Sequence, residues 1–353
     1  MKHDILVLGA SYGSLLGTKL LMAGHRVTLV CTAATAELIN REGTRVRFPL
    51  RGRDGLLEVA SGSLPGELCA AAPEAVDPQD YDLVVLGMQE AQYAGAGVRE
   101  LMGRIARARK PCLAIMNMPP LPYLARIPGL ATQALEGCYA DPGVWADFDP
   151  AMITLASPDP QAFRPPGEPK NVLQVGLPTN FKAARFDGEA PTALLRELEA
   201  DIDAARLHMG DEEIEIPVKL KVHESVFVPL AKWPMLIAGN YRCIRADEMI
   251  PIKEAVHGNV AKSREVYDWV AKLCGRLGAE AADLVPFDKY AKAAEGLGKP
   301  SSAARALFSG AQHIERVDSL VRGIARHLGL HSDALHEIVT LVDERLGRNR
   351  LAR

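Results

Sequence analysis

The sequence has no long apolar run, no charge excess and no paired cysteines. No stretch is apolar over the length of a membrane-spanning helix, so no membrane partner is expected. Lys and Arg number 41 and Asp and Glu 44, a net charge of -3. So small an imbalance gives no electrostatic reason to expect nucleic acid or a membrane surface as a partner. Arg345, Arg348, Arg350 and Arg353 read as the solvated end of a C-terminal helix. The six cysteines, Cys31, Cys69, Cys112, Cys138, Cys243 and Cys274, form no C-x-x-C pair and stand near no second metal-type ligand. That pattern suits free thiols in a reducing compartment and excludes a disulfide framework. No metal site is expected, and Asp211, Glu212 and Glu213 read as an exposed acidic turn. Internal repeats and low-complexity tracts are also missing. The chain runs at once into strand-like residues, without the basic and apolar regions of a signal peptide, so a cytoplasmic protein is expected.

What is present is an ordinary globular composition, 48% hydrophobic and 24% charged, over 353 residues. That length accommodates two domains with a large core. The most informative stretch is 4–30. Asp4 to Leu8 is a short apolar run, the pattern of a buried strand. Gly9-Ala10-Ser11-Tyr12-Gly13-Ser14 follows and leads into a helical pattern reaching Met22. Gly24-His25 closes that helix, and Arg26 to Val30 reads as a second strand. A strand, a glycine-rich turn, a helix and a parallel strand make an anion-binding unit. The turn brings backbone close to a pyrophosphate, and the N–H groups opening the helix point at it. The spacing departs from G-x-G-x-x-G, because Ser11 stands at the second glycine and the turn is one residue shorter. The same residues spell G-x-S-x-G, the nucleophile elbow of serine hydrolases. That elbow normally follows a mid-sheet strand, whereas this turn follows the first.

Asp80 to Gly87 and Pro111 to Met116 read as further buried strands, with a helical pattern over Val98 to Ala108 between them. Strands alternating with helices imply a parallel sheet whose ligand lies beyond the strands' carboxyl ends. Ser11, Gln89 and Asn117 all fall there. Thr32 ends the second strand, where an acid favours NAD and an arginine the 2′-phosphate of NADP; threonine leaves both open, with Arg41 and Arg45 near in sequence. Residues 43–60 read as short strands, 61–80 as loop, and the proline-rich 137–188 as the end of the first domain. Helical patterns follow over 191–207, 218–245, 259–277, 286–295, 303–329 and 332–347. The expected fold is α/β: an N-terminal Rossmann-type, doubly wound parallel sheet over 1–188, then a mostly α-helical domain over 189–353.

These residues resemble the ketopantoate reductase family. Val7 to Gly17 resembles its opening strand and turn, less one residue, which implies cofactor contacts at Gly9, Ser11, Tyr12, Gly13, Ser14 and Thr32. Leu86 to Gln92 resembles the family's strand end and Lys-Ala-x-Gln, with Gln89 at the lysine position. Asn117 stands where the family places an asparagine beside the nicotinamide, with Met118 replacing a glycine. Lys232 and Asn240 keep the spacing of the catalytic lysine and a later asparagine, about two helical turns apart on one face. Leu236 replaces a further family asparagine, and Pro234 makes the helix irregular. Lys299-Pro300-Ser301-Ser302 resembles the family's Ser-Ser segment. The family's glutamate, twelve residues later, would fall at His313 or be supplied by Glu315.

The resemblance implies hydride transfer from NADPH, with NADH not excluded, to a small 2-keto acid or ketone. Lys232 would polarise the carbonyl and donate a proton. Asn117 and Asn240 would assist it, and Ser301, Ser302 and His313 would hold substrate. Simpler roles stand beside these. Asn117 suits a turn, Ser301 and Ser302 suit a helix N-cap, and Lys232 suits a snorkelling surface position. The alternatives are an opine-type or other dehydrogenase, or a dinucleotide-binding protein with little catalysis. A small-molecule substrate is the expected partner, and a homodimer is left open.

Overall fold

The structure is a computed structural model and describes residues 1–352; Arg353, of the basic tail, lies outside them. The chain divides into two compact units. One holds Met1–Met88, Gln92–Met116 and Val144–Glu224; the other holds Gln89–Ala91, Asn117–Gly143 and the chain from Ser225 onward.

In chain order, the first unit builds β1 (Asp4–Leu8), α1 (Tyr12–Met22), β2 (Arg26–Val30), α2 (Ala33–Glu42), β3 (Arg45–Pro49), β4 (Leu56–Ala60), β5 (Glu67–Ala71), β6 (Leu83–Leu86), α3 (Val98–Ala108) and β7 (Cys112–Ile115). The chain then makes α4 (Leu121–Leu124), which belongs to the second unit. It returns for β8 (Ile153–Ser157), β9 (Gln161–Phe163), β10 (Val172–Leu177), β11 (Phe181–Ala184), α5 (Glu189–Ala204), β12 (Leu207–Met209), β13 (Glu212–Ile214) and β14 (Leu220–His223).

Among the described residues the main sheet has eight strands, ordered β14-β11-β8-β7-β6-β1-β2-β5. From β5 through β8 every neighbour is parallel. Counted in their own chain order, those strands read 3-2-1-4-5-6, the doubly wound arrangement, which reverses between β1 and β6. Apart from Asp4 at the start of β1, β1 and β6 are apolar because both faces of a parallel sheet are covered. Ile5, Leu6, Val7 and Leu8 are 0% exposed. A second sheet runs β4-β3-β10-β9, and β12 pairs with β13 as a small hairpin. α1 packs against strands of both larger sheets and against α5. Apart from Tyr12 it is buried on every side, which is why Leu15, Leu16, Leu20, Leu21 and Met22 surround it instead of forming one stripe.

The second unit continues with α6 (Lys232–Met235), a π-helical turn at Leu236–Asn240, and a 3₁₀ turn at Tyr241–Cys243. Then come α7 (Ile252–His257), α8 (Val260–Leu277), α9 (Phe287–Ala294), α10 (Ser302–Phe308), α11 (Val317–His327) and α12 (Asp333–Leu351). Among the described residues, no helix is long and apolar enough to cross a membrane.

Parallel sheet and helical second part are as expected, but several boundaries differ. The break expected after Gly188 falls inside the first unit, since α5 and β14 belong to it and 117–143 does not. The stretch 218–245 is not one helix. Val218 takes a φ of +71°, uncommon for a β-branched residue, and the chain enters strand β14 before any helix begins. The helix expected over 303–329 is two, parted after Phe308 near Gly310, whose φ is +88°. The loop expected over 61–80 contains β5, an edge strand paired with β2.

One buried charge stands out in the first unit. Lys19 on α1 is 1% exposed, and its Nζ donates to the Ile216 carbonyl at 2.6 Å. Burial, followed by repulsion from Lys219, lowers its pKa from 10.5 to about 8. The folded state therefore releases this proton before the unfolded chain does, and stability rises with pH between about 8 and 10.5. The shift is worth at most about 3 kcal/mol. Thermal melts across that window should show Lys19→Met flattening the rise relative to the unmodified protein; parallel curves would contradict this account of Lys19.

Candidate active site

The first candidate region is the turn from β1 into α1. Gly9 has a φ of +100°, and a Cβ there would lie 2.6 Å from Met88 Cγ and 3.0 Å from the Gly87 carbonyl. A Cβ at Gly13 would lie 2.6 Å from Val7 Cγ1. Both positions need glycine, because the turn is pressed against β1 and the end of β6 at the point where strand order reverses. The first N–H groups of α1 have no partner inside the helix, and its first turn holds no acidic residue. A pyrophosphate fits this donor set. Ser14 Oγ donates to the Ala10 carbonyl at 2.6 Å, and Ser14 N–H to the Ser11 carbonyl at 3.1 Å, so Ser14 braces the turn. Tyr12 packs edge-on against Phe181 and donates to the Pro160 carbonyl at 2.5 Å. Its side chain is thus committed to packing, which leaves the Tyr12 N–H as its candidate cofactor contact.

Thr32 precedes α2, and its Oγ1 lies 3.0 Å from Thr35 Oγ1. Arg41 pairs with Glu42, and the Arg45 N–H bonds the Asn171 carbonyl within a strand pairing. The cation that acts on the end of β2 is Arg164, just past β9, whose charge reaches Cys31. Sequence distance hides it, since the four-stranded sheet is what returns residue 164 to β2.

The second region lies wholly within the second unit. A pocket there is lined by Gln89, Asn117, Leu236, Asn240, Tyr241, Ser302, Ala303, Ala306, Ile314 and Glu315. Asn117 Nδ2 donates to Glu315 Oε2 at 3.0 Å. Asn117 Oδ1 is buried without a hydrogen-bond partner. Such orphans are uncommon in folded proteins, and this one leaves an acceptor available beside the pocket. Burial raises the pKa of Glu315; the Asn117 amide, the N–H groups of Glu90 and Met118, and the charge of Lys232 oppose the rise. Glu315 is 8% exposed and lines the pocket, whereas His313 is exposed and does not. The break between α10 and α11 turns the chain so that the residue two positions beyond His313 points inward.

Lys232 opens α6, is half-buried, and lies close enough to Glu315 to favour its ionised form. An unbroken α-helix would leave Lys232 and Asn240 about 80° apart around the axis. The wider i→i+5 turn at Leu236–Asn240 reduces that angle and turns Asn240 toward the lysine's face. The irregular helix frees carbonyls, and side chains from other elements meet them. Tyr290 OH donates to Met235 O at 3.1 Å, Arg242 Nη1 to Ala238 O at 3.2 Å, and Ser301 Oγ to Asn240 O at 2.7 Å. Ser301 Oγ also accepts from the Ala304 N–H at 3.1 Å, capping α10. Ser301 thus serves the helix and supports Asn240; Ser302, exposed on the pocket rim, is the serine open to a ligand.

Glu90 is a further buried carboxyl beside this pocket, 3% exposed, that the sequence motifs did not single out. Among the described residues, no group of three or more His, Cys, Asp or Glu side chains is arranged to hold a metal.

Together these features define a doubly wound α/β unit followed in the chain by a helical unit. No protein-family model matches the chain, and no curated protein matches it. Solved structures do. A 2-dehydropantoate 2-reductase from Methylococcus capsulatus aligns over 98% of this chain and 97% of its own, with a TM-score of 0.66 at 14% identity. D-Mandelate dehydrogenase, solved as a ternary complex with NADH and anilino(oxo)acetate, aligns over 98% of this chain and 99% of its own, with a TM-score of 0.66 at 14% identity. A dimeric ketopantoate reductase from Staphylococcus aureus aligns over 98% and 99%, with a TM-score of 0.62 at 10% identity. The chain has the fold these proteins share.

The π turn gives a direct test of this geometry. A Cβ at Gly239 would lie 1.9 Å from Tyr290 OH. Gly239→Ala should therefore cost about 1–3 kcal/mol of stability, the range for overpacking a filled site. Adding Tyr290→Phe should restore part of the loss in denaturant melts. Equal stability of Gly239→Ala and the unmodified protein would contradict the packing.

Proposed function

We propose that this chain is a nicotinamide-dinucleotide-dependent reductase of a small 2-keto acid or ketone. The observation that carries the reading is the pocket where Asn117, Asn240 and Glu315 converge, with Lys232 near enough to act on Glu315. Support also comes from the turn before α1, whose glycines and acid-free first turn suit a pyrophosphate, and from the activities named for proteins of this fold.

The cofactor would supply the hydride. The chain's own residues handle the oxygen. Lys232 Nζ polarises the carbonyl oxygen and gives its proton to the alkoxide that forms there. Asn117, fixed through Nδ2 by Glu315, has Oδ1 left for the cofactor amide or the substrate. Asn240, its backbone held by Ser301, presents its side chain to the same pocket, and Gln89 and Ser302 complete the polar lining. Leu236 and Ile314 keep one side apolar, which limits water at the reacting carbon.

NADPH is the proposed donor. No acid stands at Thr32 to receive a ribose 2′-hydroxyl, and Arg164 supplies positive charge near the end of β2. A homodimer is the proposed assembly, supported by the dimeric relative of the same fold; sedimentation that finds only monomer would remove it.

NADPH oxidation with a panel of 2-keto acids tests the reading. Turnover of at least one is expected, and Lys232→Ala should lower it by about two to four orders of magnitude with little change in NADPH affinity. Arg164→Ala should raise KM for NADPH more than for NADH. Binding of neither nucleotide would end the reductase reading, and unchanged turnover in Lys232→Ala would remove the lysine from the mechanism.

A further inference from the structure

Tyr241 lines the pocket and is 4% exposed, yet the mechanism above gives it no task. It lies within the second unit, as do Asn117, Met118, Glu315 and Val317. Its hydroxyl donates to the Glu315 carbonyl at 2.5 Å and accepts from the Val317 N–H at 3.0 Å. Those two residues flank Arg316, the N-cap of α11, whose side chain makes no capping hydrogen bond. The first N–H groups of a helix have no partner inside it. In α11 other groups meet them: Met118 Sδ takes the Arg316 N–H at 3.4 Å, Tyr241 takes the Val317 N–H, and the Asp318 carboxyl takes the Ser319 N–H. Burial, then the charges of Asp318 and Glu315, hold the Tyr241 pKa well above its ordinary 10. The hydroxyl therefore keeps its proton and donates and accepts at once.

We infer that Tyr241 is a positioning residue of the pocket: its hydroxyl bridges Glu315 and Val317 and so sets where the Glu315 carboxylate meets Asn117. Asn117 Nδ2 lies 3.0 Å from Glu315 Oε2, and the next residue, Met118, holds the Arg316 N–H. Asn240 lines the pocket, and the next residue, Tyr241, holds the Glu315 carbonyl. Two adjacent pairs thus each give the pocket one polar side chain and the segment 315–317 one clasp. Tyr241→Phe would keep the ring but leave a buried carbonyl and a buried N–H unpaired. Val317 is 0% exposed, so water does not readily replace the hydroxyl. The segment then relaxes toward other partners, and the contact between Asn117 and Glu315 loosens. The effect on turnover rests on the reductase reading; the clasp itself does not.

Nuclear magnetic resonance of the free protein and NADPH oxidation test the two parts separately. In Tyr241→Phe, hydrogen exchange at the Val317 N–H and at the Asn117 side-chain amide should be faster than in the unmodified protein. Asn117→Asp, which lacks that amide, identifies its signal. With a keto acid that the unmodified protein reduces, kcat in Tyr241→Phe should fall about 10- to 100-fold, while KM for NADPH stays within about twofold. A purely structural role would lower the melting temperature and leave kcat of the folded protein unchanged. Unchanged exchange at both amides, or unchanged kcat, would overturn the inference. If Tyr241→Phe does not fold, the unmodified protein decides. Its Tyr241 hydroxyl proton should exchange slowly and show a cross-peak to the Val317 N–H; free exchange with solvent overturns the inference equally. Faster exchange in Tyr241→Phe, with no turnover of any keto acid by the unmodified protein, would sustain the clasp and sink the reductase reading.

Discussion

Carbonyl groups released by one irregular helix turn organise the second unit. A π turn at Leu236–Asn240 breaks the α-helical ladder, and buried carbonyls without donors are costly. Tyr290 comes from α9, Arg242 from the 3₁₀ turn that follows, and Ser301 from the cap of α10, each to meet one of them. Gly239 is required because Tyr290's hydroxyl occupies the space of its Cβ. The same turn brings Asn240 into the pocket with Asn117 and Glu315. Helix irregularity, packing of α9 and α10, and pocket geometry are therefore one constraint. It also explains how Ser301 contributes to the pocket without facing it: the serine fixes the backbone of Asn240.

In the first unit the same currency, main-chain polar groups, is used in the opposite way. The first N–H groups of α1 lack partners inside the helix, and glycines at 9 and 13 let the turn press against β1 and the end of β6. The strand order places that turn where the sheet reverses, the usual ligand position of a doubly wound fold. α1 itself is buried between strands of two sheets, so the helix end next to the turn is mounted on an enclosed element.

How much of this the sequence disclosed depended on whether local pattern or distant contact set the outcome. The run from Asp4 to Val30 discloses strand, turn, helix and strand because apolar periodicity and glycine placement are local signals. β6 and β7 are equally plain, as four-residue apolar runs. β5 is not, since Glu67–Ala71 is a short edge strand whose residues, Leu68 apart, are small or charged, and its partner β2 defines it. The stretch 218–245 carries helical-looking composition, but the backbone at Val218 and the pairing of β14 with β11 override it. A family's spacing singled out Lys232, Asn117 and Asn240 as candidates, whereas which of His313 and Glu315 lines the pocket depended on where the chain turns after Gly310. Glu90 and Arg164 carried no sequence signal, because each matters only through neighbours at least 50 residues away in the chain or on another strand.

The central claim is that the turn before α1 holds a dinucleotide through its main-chain amides. Amide-resolved hydrogen exchange with and without NADPH tests it most directly. The account predicts that NADPH slows exchange at residues 10–14, the turn and the first residues of α1. Exchange there that is indifferent to nucleotide, with protection confined to other segments or lacking throughout, would contradict it.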